Sequence, residues 1–333
     1  MNGEVFVISV IKGKYNGIDI VGQKLLKSKE SIFIKNENIK KFWNEILINV
    51  DFAKGTHILN WENDTELFIE YVVGKPHLVI CGGGHIALSL CNISKMLDFN
   101  VTLIDDRSEF ANKQRFPLAD KIICKDFNEA LEEVKGNKGT YYVIITRGHK
   151  DDRKCLEKIL KNDFFYVGMI GSKSKVAFVI NDMLECGYLK EDIDKVHTPI
   201  GLNLGGQTPA EIAVSIVGEM ILEKNKKDSS NIEDDILDKI CNKKEAMVLA
   251  TIIEKHGSSP RGVGTKMLIF NNREFIGTIG GGSIENAIYE QALDLISKKT
   301  SLVEQYDLSN SAASKLGMAC GGRIRVLFEF IDA

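Results

Sequence analysis

The chain has 333 residues, 44% hydrophobic and 27% charged, with a formal net charge of −3, a size and balance that bury two ordinary cores and exclude a disordered polymer. No basic run or aromatic-rich basic face appears, which excludes a nucleic-acid footprint and leaves small ligands and protein partners. No apolar run approaches the roughly 20 residues of a membrane span, and the seven scattered cysteines, never in a C-x-x-C pair, argue for a reducing cytosol over a disulfide framework or zinc ribbon.

In chain order, the opening MNGEVFVISVIKGK has no positive n-region and no small-residue cleavage site, and reads as a strand. Residues 5–26 slide without a gap onto residues 247–268 at an offset of 242. Ile11, Val21, Gly22, Lys24 and Leu26 then fall on Ile253, Val263, Gly264, Lys266 and Leu268, and ELFIEYV before residue 74 resembles RVLFEFI at the C-terminus. This spacing predicts an internal duplication. The early copy lacks counterparts of Ser258-Ser-Pro-Arg261, of the glycine run at 280–282 and of GMACGG. It has kept a scaffold without the loops, so chemistry is expected in the later copy.

From residue 75 short β-branched runs alternate with amphipathic helices, the grammar of a parallel sheet covered on both faces. In LVICGGGHIA, Gly82-x-Gly84-x-x-Ala87 follows a strand and opens a helix, where unpaired amides and the macrodipole favour an anion. About twenty residues on, VTLIDDR ends a second strand with Asp105, placed to accept from a ribose hydroxyl. The other reading is a scaffold whose site is reassigned, with Asp106 and Arg107 serving a different anionic ligand. Thr146-Arg-Gly-His149 ends a further strand; His149 and Asp152 either orient one another as an acid–base pair, or Asp151 or Asp152 caps the next helix. Met169-Ile-Gly-Ser-Lys173 and Gly201-Leu-Asn-Leu-Gly-Gly206 either line the same pocket or reverse the chain. Thr208, Pro209 and Glu211 form a capping box ahead of a buried stripe at Ile212, Ile216, Val217, Met220 and Ile221.

The polar run EKNKKDSSNIEDD at 223–235 reads as a linker. After it come a helix, ILDKICNKKE, the strands AMVLATIIEK, KMLIFNN and RVLFEFI, and a helix NAIYEQALDLISKK behind the glycine run. Three loops stand out. HGSSPRGVGTK offers hydroxyls and a guanidinium suited to an oxyanion; GTIGGGSIE offers glycine amides; GMACGG offers one thiol, Cys320, between glycines.

Together, GSSPRGVGTKML, GTIGGGSIE, GMACGGRI, LVICGGGHIA, DDRSEF, TRGHKDD, YVGMIGSKSK and PIGLNLGGQTPAEIAVSI resemble the XdhC/CoxI family of molybdenum hydroxylase maturation factors, over roughly residues 75–333. The resemblance implies an α/β protein: residues 1–73 a degenerate half-copy of a CoxI-type lobe, 74–222 a Rossmann-like XdhC domain, 223–235 a linker and 236–333 a smaller α+β CoxI-type lobe. It also implies a cytoplasmic carrier in place of a turnover enzyme. Such a carrier binds molybdenum cofactor, as molybdopterin or its dinucleotide, works with a cysteine desulfurase and delivers the cofactor to an apo molybdenum hydroxylase of the xanthine dehydrogenase type.

By motif match the phosphate cradle falls on Gly82, Gly84 and Gly280, Gly281 and Gly282, and the cofactor loops on Ser259, Arg261 and Cys320, the last also as the contact for the metal end. His85, Asp105, Arg107, Arg147, His149, Ser283 and Glu285 complete the expected cofactor-binding set. Many relatives read G-G-C-hydrophobic-E where this chain has Gly281-Gly282-Ser283-Ile284-Glu285, which puts sulfur ligation at Ser283 in doubt. Two other readings stand beside the carrier. One is an NAD(P)-dependent oxidoreductase using Gly82, Gly84 and Asp105 with His149 as acid or base, and the other is a silent adaptor between a desulfurase and its target. A nucleotide in the Rossmann pocket is a further expectation, and the sheet of the N-terminal half-lobe is covered either by a second chain, as a homodimer, or by the later copy within the same chain.

Overall fold

The computed structural model describes residues 4–29, 31–34, 36–226, 232–242, 244–257, 261–307 and 322–333. The chain divides into two compact units, one of residues 74–227 with the first three residues, the other joining residues 4–73 to residues 228–333. Among the described residues no helix is long and apolar enough to cross a membrane.

The N-terminal half of the second unit runs β1 (Glu4–Lys12), β2 (Lys14–Tyr15), β3 (Ile18–Asp19), β4 (Lys24–Ser28), β5 (Ile32–Ile34), α1 (Lys40–Asn49), β6 (His57–Trp61) and β7 (Thr65–Val73). Its sheet has the order β5-β4-β1-β7-β6, with antiparallel pairing throughout. The first unit follows, with β8 (His77–Cys81), α2 (His85–Met96), β9 (Asn100–Asp105), β10 (Lys121–Cys124), α3 (Phe127–Glu133), β11 (Thr140–Ile144), α4 (His149–Ile159), β12 (Tyr166–Met169), α5 (Lys173–Glu185), α6 (Lys190–Ile193), β13 (Val196–His197) and α7 (Pro209–Lys226). The C-terminal half of the second unit runs α8 (Asp234–Cys241), β14 (Met247–His256), β15 (Lys266–Phe270), β16 (Phe275–Gly277), α9 (Gly282–Lys298), β17 (Leu302–Asp307) and β18 (Arg323–Ile331).

The first unit is the expected Rossmann-like domain. Its six strands are parallel in the order β10-β9-β8-β11-β12-β13. Successive residues along each strand alternate between two cores. Val79, Cys81, Tyr142, Ile144 and Val167 pack against α3, α4 and α5, while Leu78, Ile80, Tyr141 and Val143 pack against α2 and α7. A strand buried on both faces must be apolar at every position, which is why HLVIC and TYYVI read as continuous runs. The order reverses between β8 and β11, so the loops after those two strands border the crevice where ligands of such sheets bind.

α7 begins as expected. Glu211 Oε2 accepts from the amides of Gln207 and Thr208, and the Glu211 amide donates to Thr208 Oγ1. Its apolar stripe follows the sequence expectation at Ile212, Ile216, Val217 and Met220, which join one core, and departs from it at Ile221. Ala213, Ser215, Ile216, Val217 and Met220 are buried, whereas Ile221 is 39% exposed. Ala213 joins the core that α7 shares with α2, and Ser215 lies against Gly201.

The second unit carries the repeat. The C-terminal sheet, β16-β15-β14-β18-β17, has the same strand order as the N-terminal one with each strand replaced by its counterpart. Both first strands bulge at the matching residue, between Val10 and Lys12 and between Ile252 and Glu254. Gly22 and Gly264 each donate to the carbonyl of the residue before that bulge, Val10 and Ile252. Tyr71 donates to Thr56 Oγ1 as Phe330 donates to Ser301 Oγ. Matching apolar clusters lie in the two halves, built on α1 in the first and α9 in the second, and the C-terminal half has a further one against α8.

Candidate functional site

The Gly82–Gly84 turn leaves the C-terminal end of β8 at the strand-order reversal and feeds α2. Gly82 adopts φ +114, and a Cβ there would lie 2.5 Å from the Ile145 carbonyl oxygen, so only glycine lets this turn pass the loop after β11. Gly83 is equally confined, with the Phe110 carbonyl oxygen 2.6 Å from a built Cβ. Gly84 differs: it is the N-cap of α2, φ −68, with open space where its Cβ would be. The first helical amides beyond it have no partner within the helix and face that space with the positive end of the dipole. His85 is exposed at the first helical position.

Asp105 is a correction to the sequence expectation. Its carboxylate is 1% exposed, with Oδ2 accepting from the Gly83 amide at 2.7 Å and Oδ1 from the Arg107 amide at 3.1 Å. Arg107 then closes a bidentate pair, Nε to Oδ1 at 2.8 Å and Nη2 to Oδ2 at 2.9 Å. Burial raises the Asp105 carboxyl, but the Arg107 and Gly83 hydrogen bonds outweigh it and hold it below the usual range. Asp105 therefore anchors the glycine turn to β9 and offers no open oxygen to a ribose diol.

Two residues outside the sequence expectation join it. Arg115 Nε donates to the Gly83 carbonyl at 3.1 Å, and its Nη2 is buried without a hydrogen-bond partner. The guanidinium carbons of Arg107 and Arg115 lie 3.7 and 5.2 Å from the Phe110 ring centroid. Two cations thus share one aromatic ring beside an anion-favouring turn. A DDR run signals Arg107, but no local pattern signals Arg115, which is 32 residues from Gly83.

The loop after β11 is held from below. Asp152, fully buried, accepts from Thr146 Oγ1 and pairs with Lys175 from α5. Burial pushes its carboxyl up against those contacts. The carboxylate is thereby engaged by Thr146 and Lys175; its expected partner His149 has its side chain outside the described residues. Arg147 is exposed. Ser259 and Cys320 lie outside the described residues, as does the side chain of His149.

In the second unit the GTIGGGSIE loop is closed by its own acid. Glu285 Oε2 accepts from Thr278 Oγ1 and from the amides of Ile279 and Gly281, both at 3.1 Å, while the Gly280 amide donates to Thr278 Oγ1 at 3.2 Å. The expectation that Gly280 and Gly281 cradle a phosphate is corrected accordingly, because the Gly280 amide is taken by the Thr278 hydroxyl and the Gly281 amide by the Glu285 carboxylate. A second anion would meet Glu285 first. Gly282 opens α9 and Ser283 is exposed on its first turn. Arg261 is exposed. A cavity of about 490 Å³ in this unit is lined by Asp238, Met247, Phe270, Arg273 and Phe275 among others, with no residue of the motif loops. Among the described residues no cluster of His, Cys, Asp and Glu has the geometry of a metal site.

Comparison with known proteins agrees with this architecture. Residues 78–220 match the family model described as the XdhC Rossmann domain, and residues 240–307 match the XdhC and CoxI family. YqeB of Escherichia coli (strain K12) is 29% identical over 160 residues, 48% of this chain and 29% of that protein. A probable xanthine dehydrogenase component of Bacillus subtilis (strain 168) is 26% identical over 165 residues, 50% of this chain and 48% of that protein. The matched region therefore spans less than half of either relative. A crystal structure described as a xanthine dehydrogenase from Bacillus halodurans superimposes with a TM-score of 0.52 at 22% identity, covering 68% of this chain and 63% of the other. At that identity the likeness bears on fold alone.

Proposed function

Because the chain belongs to the XdhC and CoxI family, we propose that it is a maturation factor for a molybdenum hydroxylase, carrying molybdenum cofactor as cargo. In this reading it shields the cofactor, supports its sulfuration together with a cysteine desulfurase, and delivers it to the apo-hydroxylase. The observation that carries the reading is the α2 turn of the Rossmann unit, with its open N-cap at Gly84 and the Arg107 and Arg115 guanidiniums stacked on Phe110. The phosphate or pyrophosphate of the cofactor is the kind of group that such amides and guanidiniums hold. The amides of the first turn of α2 and the free nitrogens of the two arginines hold that end, and Asp105 keeps the turn and Arg107 in register. Bound, the cargo supplies a molybdenum–dithiolene centre; the thiol that the family resemblance assigns to it, Cys320, lies outside the described residues.

The nicotinamide reading loses its ribose contact, since both Asp105 oxygens are engaged. NAD(H) and NADP(H) are expected to leave the melting temperature unchanged, whereas a tight ligand shifts it by mass action. The direct test is copurification from a molybdenum-replete host. The reading requires molybdenum together with pterin fluorescence after oxidation. Protein that carries neither, and takes up neither when cofactor is supplied, rules it out.

A further inference from the structure

Within the unit built from residues 4–73 and 228–333, the two halves meet through reciprocal contacts. Lys24 Nζ pairs with Glu329 Oε1 at 2.7 Å, and Lys266 pairs with Glu70. Lys24 and Lys266 are counterparts at the repeat offset of 242, and Glu70 and Glu329 are counterparts along β7 and β18. Each half lends its lysine to the glutamate of the other, which is the contact pattern of a two-fold, self-complementary interface. The bulge residues Ile11 and Ile253 pack with a second pair of counterparts, Phe68 and Leu327.

One pair of counterparts breaks the symmetry. β7 has Glu66 where β18 has Arg325, and their ladder partners are reversed to match, Lys12 beside Glu66 and Glu254 beside Arg325. Arg325 Nη2 donates to Glu66 Oε2 at 2.8 Å and Nη1 to Glu254 Oε2 at 3.0 Å. Under two-fold pairing, residues 66 and 325 meet their own counterparts. Two C-terminal halves would set Arg325 against Arg325, and two N-terminal halves would set Glu66 against Glu66; only the mixed pair brings opposite charges together.

We propose that residues 4–73 serve as a dedicated partner for the C-terminal half, selected by this reversed charge, and occupy the surface through which a second copy of that half would otherwise pair. The chain is then a monomer at this interface, the intrachain alternative to a homodimer. It carries one set of loops on a two-fold scaffold. β6 and β7 are joined by three residues, 62–64, where residues 308–322 with GMACGG join β17 to β18. This assignment does not rest on the proposed cargo, and its test uses no ligand.

The test places a protease recognition sequence between Val73 and Gly74 of the full chain and follows it by native mass spectrometry before and after cleavage. The intact chain is expected to be a monomer, and the cut chain a one-to-one complex of its two pieces. Glu66→Arg is expected to weaken retention of the N-terminal piece at least tenfold. The full reversal, Glu66→Arg and Lys12→Glu together with Arg325→Glu and Glu254→Lys, exchanges the charges with their ladder partners and is expected to restore it, which a general loss of folding cannot do. A dimer of C-terminal pieces from the cut wild-type chain, or a full reversal that retains its partner no better than Glu66→Arg alone, overturns the proposal.

Discussion

Glu285 accepts from Thr278 Oγ1 and the amides of Ile279 and Gly281, standing where an external anion would stand. Burial raises its carboxyl, and the Thr278 and loop-amide hydrogen bonds more than offset this, leaving it below the usual glutamate range. The unfolded chain therefore binds this proton more readily. The stabilisation is complete above the unfolded value of about 4.3 and is lost as pH falls through the lower folded value. Glu285→Gln is expected to cost about 1 kcal/mol at neutral pH, as a lost helix cap does, and to flatten the acid limb of melting temperature against pH. Asp105 is the harsher case, because it is 1% exposed and bidentate with Arg107. Asp105→Ala leaves a guanidinium and the Gly83 amide without their acceptor, and is expected to cost about 3 kcal/mol or more in urea unfolding. Asp106→Ala, at an exposed neighbouring position, is expected to stay within about 0.5 kcal/mol. Sequence identified both acids as site residues but not the direction they face. A carboxylate at a strand end or behind a glycine run has the same letter whether it accepts from a ligand or from its own loop, and amides 22 residues away, as Gly83 is from Asp105, leave no local mark.

At the scale of elements, the alternation of apolar residues on two faces, the glycine turn after β8 and the α7 capping box were legible because each follows from local geometry. The parallel sheet covered on both faces followed from them, while its strand order did not. Arg115 was not legible, since its place beside Gly83 depends on how the segment after β9 folds back. The three glycines of the turn, alike in sequence, have different tasks. Gly82→Ala must displace the Ile145 backbone and hold an unfavourable φ, and is expected to lower stability by about 2 kcal/mol or more, read by chemical denaturation. Gly84→Ala meets open space at an ordinary φ and is expected to cost no more than about 1 kcal/mol, the loss of a glycine N-cap to alanine.

For the whole molecule, the gapless offset of 242 made the duplication readable, and the shared bulges at Ile11 and Ile253 show why it needs no gap. Pairing of the halves was legible only as the alternative to a homodimer, and the residues that make it were not, because they meet through long-range contacts such as Lys266 with Glu70, 196 residues apart. Both groups of that pair are about 95% buried. Lys266→Met is expected to cost about 3–5 kcal/mol by leaving Glu70 buried and unpaired, and Lys266→Met with Glu70→Leu to recover most of it, as a double-mutant cycle in urea would record.

The central claim, that the α2 turn holds the phosphate end of molybdenum cofactor, is tested most directly at Gly84. Aspartate there is a favoured N-cap and places its own carboxylate where the ligand's phosphate would lie, much as Glu285 does in the other loop. Pterin and molybdenum content is measured in wild type and Gly84→Asp purified side by side from a molybdenum-replete host, with melting temperature as the control for folding. The account predicts that wild type carries both and that Gly84→Asp melts at or above the wild-type temperature yet carries neither. Equal content in the two proteins, or none in wild type even when cofactor is supplied, would contradict it.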